Sequence, residues 1–171
     1  MYENPKDLQR LQELIDRSYA SAGPHLLSIH EPERRMTAAQ VAERLQGMRL
    51  LVLATVTGDG RPLTGPVDGI FYRGSFYFSS GDDSVRFRHI RRRPDVSATH
   101  LPAEELAVTV HGRAVPIDLR SPEHAGFRRT LLDVYVPVYG ESWETDFLDA
   151  EPRPIAARID AAKMFAFYMP S

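Results

Sequence analysis

Residues 49–80 read RLLVLATVTGDGRPLTGPVDGIFYRGSFYFSS. The first run is rich in Val, Leu and Thr, which suit a pleated, half-buried surface. Gly58-Asp59-Gly60 is a tight-turn signal, and Arg73-Gly74 is a second one. The run between them continues as a strand, although Gly65-Pro66 inside it implies an edge position or a bulge. In the third run Phe76 and Phe78 fall on one face. The stretch therefore predicts a three-stranded antiparallel meander.

Working outward, residues 83–93 predict a helix that Asp83 or Ser84 caps and Pro94 ends. DVSATH (95–100) predicts a strand. EELAVTVHGRAVPID (104–118) predicts another, with a break at Pro116. Ser121-Pro122-Glu123 opens a helix, with Ser as cap and Pro at the first position, and the helix is expected to end before Pro137. Residues 139–154 read as irregular. IAARID (155–160) and MFAFYM (164–169) form a last strand or a pair joined by Ala161-Ala162-Lys163. Upstream, Leu8, Leu11, Ile15 and Tyr19 lie at helical spacing. Thr37 and Gln40 form a capping-box pattern for a second helix over about 38–47. Six strands, mostly adjacent in sequence, predict an α+β fold: a small six-stranded antiparallel barrel of Greek-key type, with an N-terminal helical extension. The expected organisation is a single domain, with the extension at 1–48 and the barrel at 49–171.

The chain has 171 residues, 43 % of them hydrophobic and 26 % charged, and a net charge of −2. That composition fits one soluble globular domain. The charge gives no global attraction to nucleic acid or to an acidic membrane, so neither is expected as a partner. There is no cysteine, which excludes disulfides, thiolate metal sites and a cysteine nucleophile. The polar start MYENPKDLQR lacks an apolar signal core, and no apolar run approaches bilayer length. The expected location is cytoplasmic.

Positive charge concentrates in SSGDDSVRFRHIRRRP (79–94). Three readings are open. The arginines can form a solvated helix face. With Ser79, Ser80 and Ser84 they can hold an anion at a helix start, where free amides point outward. With Phe76, Tyr77, Phe78 and Phe87 they can hold single-stranded nucleic acid, a reading the net charge disfavours. The six histidines are scattered and make no metal-binding pattern, so no metal is expected. His89 stands out because it shares the arginine-rich helix. Gly-x-Gly-x-x-Gly, Walker and Gly-x-Ser-x-Gly motifs are absent. Trp143 and Tyr139 are either core or a cover for a planar ring.

The segment 53–100, from LATVTGDGRP through SSGDDSVRFRHIRRRPDVSATH, resembles the core of the pyridoxamine 5′-phosphate oxidase-like family. These are split β-barrel proteins that bind FMN or its deazaflavin relative. The closing RIDAAKMFAFYM is similar to the family's last strand, while the N-terminal helices lie outside the likeness. The resemblance implies a homodimer with the cofactor between two barrels. It implies that Pro66, Val67 and Asp68 run beside the flavin ring and ribityl chain, and that Ser79 and Ser80 offer hydroxyls near the phosphate. Ser84 and Arg86 would hold the phosphate, with Arg86 where the family usually has lysine. Trp143 would approach from the partner subunit, and His89 and Asp68 are the titratable groups near the two ends of the cofactor. Val85 replaces the family's first basic residue after that serine, so either one phosphate contact is missing or another arginine such as Arg88 substitutes. The implied activity is that of an FMN-dependent oxidoreductase acting on a small molecule, with no side chain nominated as catalytic. The alternatives are a reductase using the 8-hydroxy-5-deazaflavin coenzyme, a non-catalytic flavin carrier and a haem-handling relative.

Overall fold

The computed structural model describes residues 1–151 and 153–169. Helix α1 (Pro5–Ala20) is followed by the short α2 (Pro24–Ile29), a single 3-10 turn and α3 (Ala38–Arg44). Strands β1 (Met48–Val56), β2 (Pro62–Tyr72) and β3 (Ser75–Gly81) form the expected meander. Helix α4 (Val85–Arg92), β4 (Asp95–Ala103) and β5 (Leu106–Ile117) come next, then α5 (Ala125–Tyr139), α6 (Trp143–Leu148) and β6 (Pro154–Tyr168). The six strands close into an antiparallel barrel in the order β1-β2-β3-β6-β5-β4.

Alternation builds the interior. Leu51 and Leu53, Phe76 and Phe78, Val108 and Val110, and Met164 and Ala166 all point inward and are buried. Phe87 and Ile90 of α4, together with Leu11, Leu14 and Ile15 of α1, join the same apolar cluster. A smaller cluster lies outside the sheet, where Phe127 and Leu131 of α5 cover Ile70, Tyr77 and Ala156.

Three local expectations need correction. Strand β5 does not break at Pro116, which stays in register opposite Ala157. The irregularity falls where His111 opposes Lys163 and Gly112 opposes Ala161, leaving Ala162 as an extra residue on β6. This bulge lets one strand change its inward parity from Ile159 to Met164, so the two apolar runs are a single strand. Gly112 is required there, since a Cβ would lie 2.2 Å from the Asp160 carbonyl oxygen. Helix α5 runs through Pro137, whose missing N–H falls near the helix end, and stops at Gly140 with φ 96°. Part of the segment read as irregular is α6, with the acids Glu144 and Asp146 in its first turn, where the helix dipole favours them.

The N-terminal helix is locked on through Asp7. Its carboxylate has no exposed surface and bonds Arg73 Nε at 3.0 Å, with Arg10 as a second partner. It also accepts the Asn4 amide at 3.1 Å, completing a capping box. Burial alone pushes this carboxyl up, but the Arg73 hydrogen bond, the Asn4 amide and the charges of Arg73 and Arg10 hold it below the usual aspartate range. A depressed native pKa contributes stability that is complete above the unfolded aspartate's value, about 4, and is lost as pH falls through the native one. Asp7→Ala is expected to lower unfolding free energy by about 1.5–3 kcal/mol at neutral pH. Urea melts repeated at falling pH should show the gap between variant and wild type closing below about pH 4.

Candidate cofactor-binding site

Strand β2 has two neighbours only over part of its length. Gly69 to Tyr72 pair with β3, whereas the whole of Pro62–Ile70 pairs with β1. Pro66 sits in the one-sided stretch opposite Val52, so its missing N–H costs no bond to β3. The edge reading of Gly65-Pro66 is thus the correct one. Val67 points into the barrel core, and Pro66 and Asp68 are exposed on the outer face.

The open side of β2 is spanned by Arg86. Its Nη2 donates to the Pro66 carbonyl oxygen at 3.0 Å. The same nitrogen lies beside Gly65, at 3.5 Å from where a Cβ would stand, which is ordinary van der Waals contact. Arg86 is half-buried. Burial lowers its pKa from the ordinary arginine value.

Ser84 caps α4, its hydroxyl oxygen accepting from Phe87 N at 3.3 Å. The hydroxyl proton stays free to donate outward. Ser79, Ser80, Gly81 and Ser84 are half-buried, so the junction between β3 and α4 is neither sealed nor fully solvated. β3 pairs regularly with β6 through Ser79 and Ser80. The two serines therefore face opposite ways: Ser80 shares the face of Phe76 and Phe78, and Ser79 that of Tyr77. Phe78 packs near Phe87 of α4, with ring centroids 5.9 Å apart. Ser80 is accordingly the serine on the helix side.

The other arginines act as ties. Arg88 donates to the Asp83 carbonyl, Arg91 to the Asp82 carbonyl at 2.7 Å and Arg93 to the Gly58 carbonyl at 2.9 Å. Arg88 thus binds its own turn. His89 turns to the barrel, with Nδ1 3.0 Å from the Thr55 hydroxyl. Trp143 packs within its own chain, stacked on Tyr135 at 4.7 Å and on Phe147 at 4.8 Å. Among the described residues no group of three or more His, Cys, Asp or Glu side chains gathers to hold a metal ion. None of their helices is long and apolar enough to cross a membrane.

One neighbour was missed in the sequence. Tyr135 of α5 faces Asp68, and its phenol is pushed well above the ordinary tyrosine value by burial first and by the Asp68 carboxylate second. The two residues are far apart in the chain, and no local spacing announces the contact.

The sequence model of pyridoxamine 5′-phosphate oxidase matches residues 37–154, more than half of the chain. The chain belongs to the pyridoxamine 5′-phosphate oxidase family. No curated protein matches the sequence. Solved structures similar to this family member include a FAD-binding protein from Mesorhizobium loti, at 18 % identity and TM-score 0.58, covering 81 % of this chain and 97 % of that one. HutZ, the heme storage protein from Vibrio cholerae, is similar at 14 % identity and TM-score 0.60, covering 80 % and 94 %. An F420 reductase is similar at 18 % identity and TM-score 0.52, covering 70 % and 91 %. At these identities the likeness establishes the shared barrel fold.

The Ser84 cap gives the site a direct structural check. Ser84→Ala should lower unfolding free energy by about 1 kcal/mol, as a lost helix cap does. Urea denaturation of the ligand-free protein measures it, and a change below about 0.3 kcal/mol would remove the cap from the account.

Proposed function

We propose that the chain is an FMN-binding oxidoreductase whose cofactor phosphate docks at the junction of β3 and α4. The supporting observation is Arg86: a half-buried guanidinium that bonds the Pro66 carbonyl oxygen and pairs with no carboxylate among the described residues, beside the capped start of a helix. A buried cation without a counter-ion is costly, and a phosphate supplies the missing charge. Ser84 keeps a hydroxyl proton to donate, and the first amides of α4 point the same way. The residues fit a phosphate on three counts: charge, donors and partial exposure.

When bound, the flavin supplies hydride or single-electron exchange. The chain's own residues bind and orient. Ser84, Arg86 and Ser80 hold the anionic end, and the one-sided stretch Pro66–Asp68 lies beside the ring. Asp68 with Tyr135 fixes the polar character of that edge. Arg91 and Arg93 each spend one N–H on a main-chain carbonyl and keep further donors, so the mass of the extracted cofactor decides between FMN and the longer deazaflavin coenzyme.

The reading includes a homodimer. Met48, Leu50, Val52 and Leu101 are exposed on the outer sheet surface at 38–58 %. Leu50 lies opposite Asp68 and Val52 opposite Pro66, so this apolar patch adjoins the proposed ring position. A second copy covers the patch and closes the cleft.

Arg86→Ala is expected to raise the FMN dissociation constant at least tenfold, about the effect of one charge-assisted hydrogen bond. Fluorescence titration measures it, and unchanged affinity would sink the assignment. Acid extraction and mass spectrometry of the purified protein should release FMN; deazaflavin or haem would redirect the reading. Val52→Asp should give a monomer by light scattering, with weakened FMN binding. A wild-type monomer that retains flavin would refute the dimer. Reoxidation kinetics with candidate electron acceptors separate an enzyme from a carrier.

A further inference from the structure

A second anion site lies on the outer surface of β3 and β6. A cavity of about 540 Å³ opens between α1 and the turn joining β2 to β3. A neighbouring cavity of about 440 Å³ shares Arg73, Tyr77 and Arg158 with it and continues to His124 and Phe127. The first cavity is lined by the guanidinium groups of Arg10, Arg17, Arg73 and Arg158, against the carboxylates of Asp7 and Asp160 alone.

These pairings leave donors to spare. Arg73 spends Nε and Nη2 on Asp7. Arg158 spends Nε and Nη2 on Asp160. Each guanidinium has five N–H groups, so both keep donors beyond these ion pairs, with the Tyr77 hydroxyl as a further partner of Arg158. Arg17, exposed in the last turn of α1, adds a further charge. Ser75 adds a hydroxyl at the rim. Asp7 neutralises part of the charge of Arg10 and Arg73, and Asp160 part of that of Arg158, so four guanidinium groups against two carboxylates leave the cavity with net positive charge.

The backbone points the same way. Arg73 adopts φ 51°, the one non-glycine residue with positive φ among those described. Glycine or asparagine takes this conformation more readily. An arginine there is held over the buried Asp7 and lines the cavity with its guanidinium. Tyr77 forms the shared wall, its ring stacked on Phe127 at 4.2 Å.

We infer that this groove binds a phosphate monoester of metabolite size. Its dianionic group lies among Arg17, Arg73 and Arg158, and its body runs past Tyr77 toward the second cavity. The site is separate from the Ser84–Arg86 junction and does not depend on the flavin reading.

The test is calorimetric titration of phenyl phosphate into the protein as purified, at fixed ionic strength. Three proteins are compared: wild type, the Arg17→Gln/Arg158→Gln double variant, and Arg86→Ala. The expected result is saturable binding to wild type, weakened at least tenfold in the double variant and retained within twofold in Arg86→Ala. Should the double variant melt early, Arg17→Gln alone, at an exposed position, is expected to weaken binding at least threefold. Absence of saturable binding to wild type, equal affinity in the arginine variants, or loss in Arg86→Ala would each overturn the proposal. Loss in Arg86→Ala would place the phosphate at the α4 junction instead.

Discussion

Strand β2 pairs with β1 from Pro62 to Ile70 but with β3 only from Gly69 onward. The barrel closes because β3 goes on to pair with β6, from Tyr77 to Gly81. Two strands that separate in this way leave a one-sided edge, whose exposed main chain needs partners from elsewhere. Here α4 follows the end of β3 and sends Arg86 across to the Pro66 carbonyl. The same divergence sets the location of the candidate site, the partial burial of its arginine and the tolerance for proline in a strand.

Five arginines on or just beyond one short helix would repel each other if they were left free in a low-dielectric setting. The structure disperses them. Arg88 and Arg91 close the turn before the helix, and Arg93 reaches the β1–β2 turn at Gly58. Each meets a carbonyl dipole, which stabilises a cation without removing its charge. The cluster therefore holds the junction in shape while leaving the local potential positive. Asp82 and Asp83 oppose that potential, but their main-chain carbonyls are the groups tied down. This separates scaffolding arginines from Arg86, which alone bridges to the strand edge.

Much of the fold was legible because its signals are local. The alternation of Phe76 and Phe78, the Thr37–Gln40 box and the Ser84 cap each depend on residues within one element. The misreadings came where two weak signals competed. Pro116 is a strand breaker by composition, yet it stays paired, and the irregularity sits at Ala162, a residue with no signature. Helix α6 was hidden because tertiary stacking of Trp143 on Tyr135 supports a segment whose propensity is ordinary. At the site, Ser84 and Arg86 could be named from the sequence. That Arg86 bonds Pro66, twenty positions away, could not, and neither could the meeting of Tyr135 with Asp68. Such contacts are set by the closure of the barrel.

Strand β3 joins the two proposed anion sites. Its odd residues face the arginine-lined groove, where Tyr77 forms a wall, and its even residues face the core side on which α4 packs. A strand with polar demands on both faces has little freedom of register, since a shift by one residue would exchange them. Serine at both 79 and 80 suits that position, because each face gains a small hydroxyl where the strand has parted from β2 and pairs with β6 alone. On the proposed reading only Ser80 can join Ser84 and Arg86. Ser79 belongs to the side that carries Tyr77 and, across the ladder on β6, Arg158. The paired serines that looked interchangeable in the sequence are thus divided by the pleat of one strand between two separate surfaces.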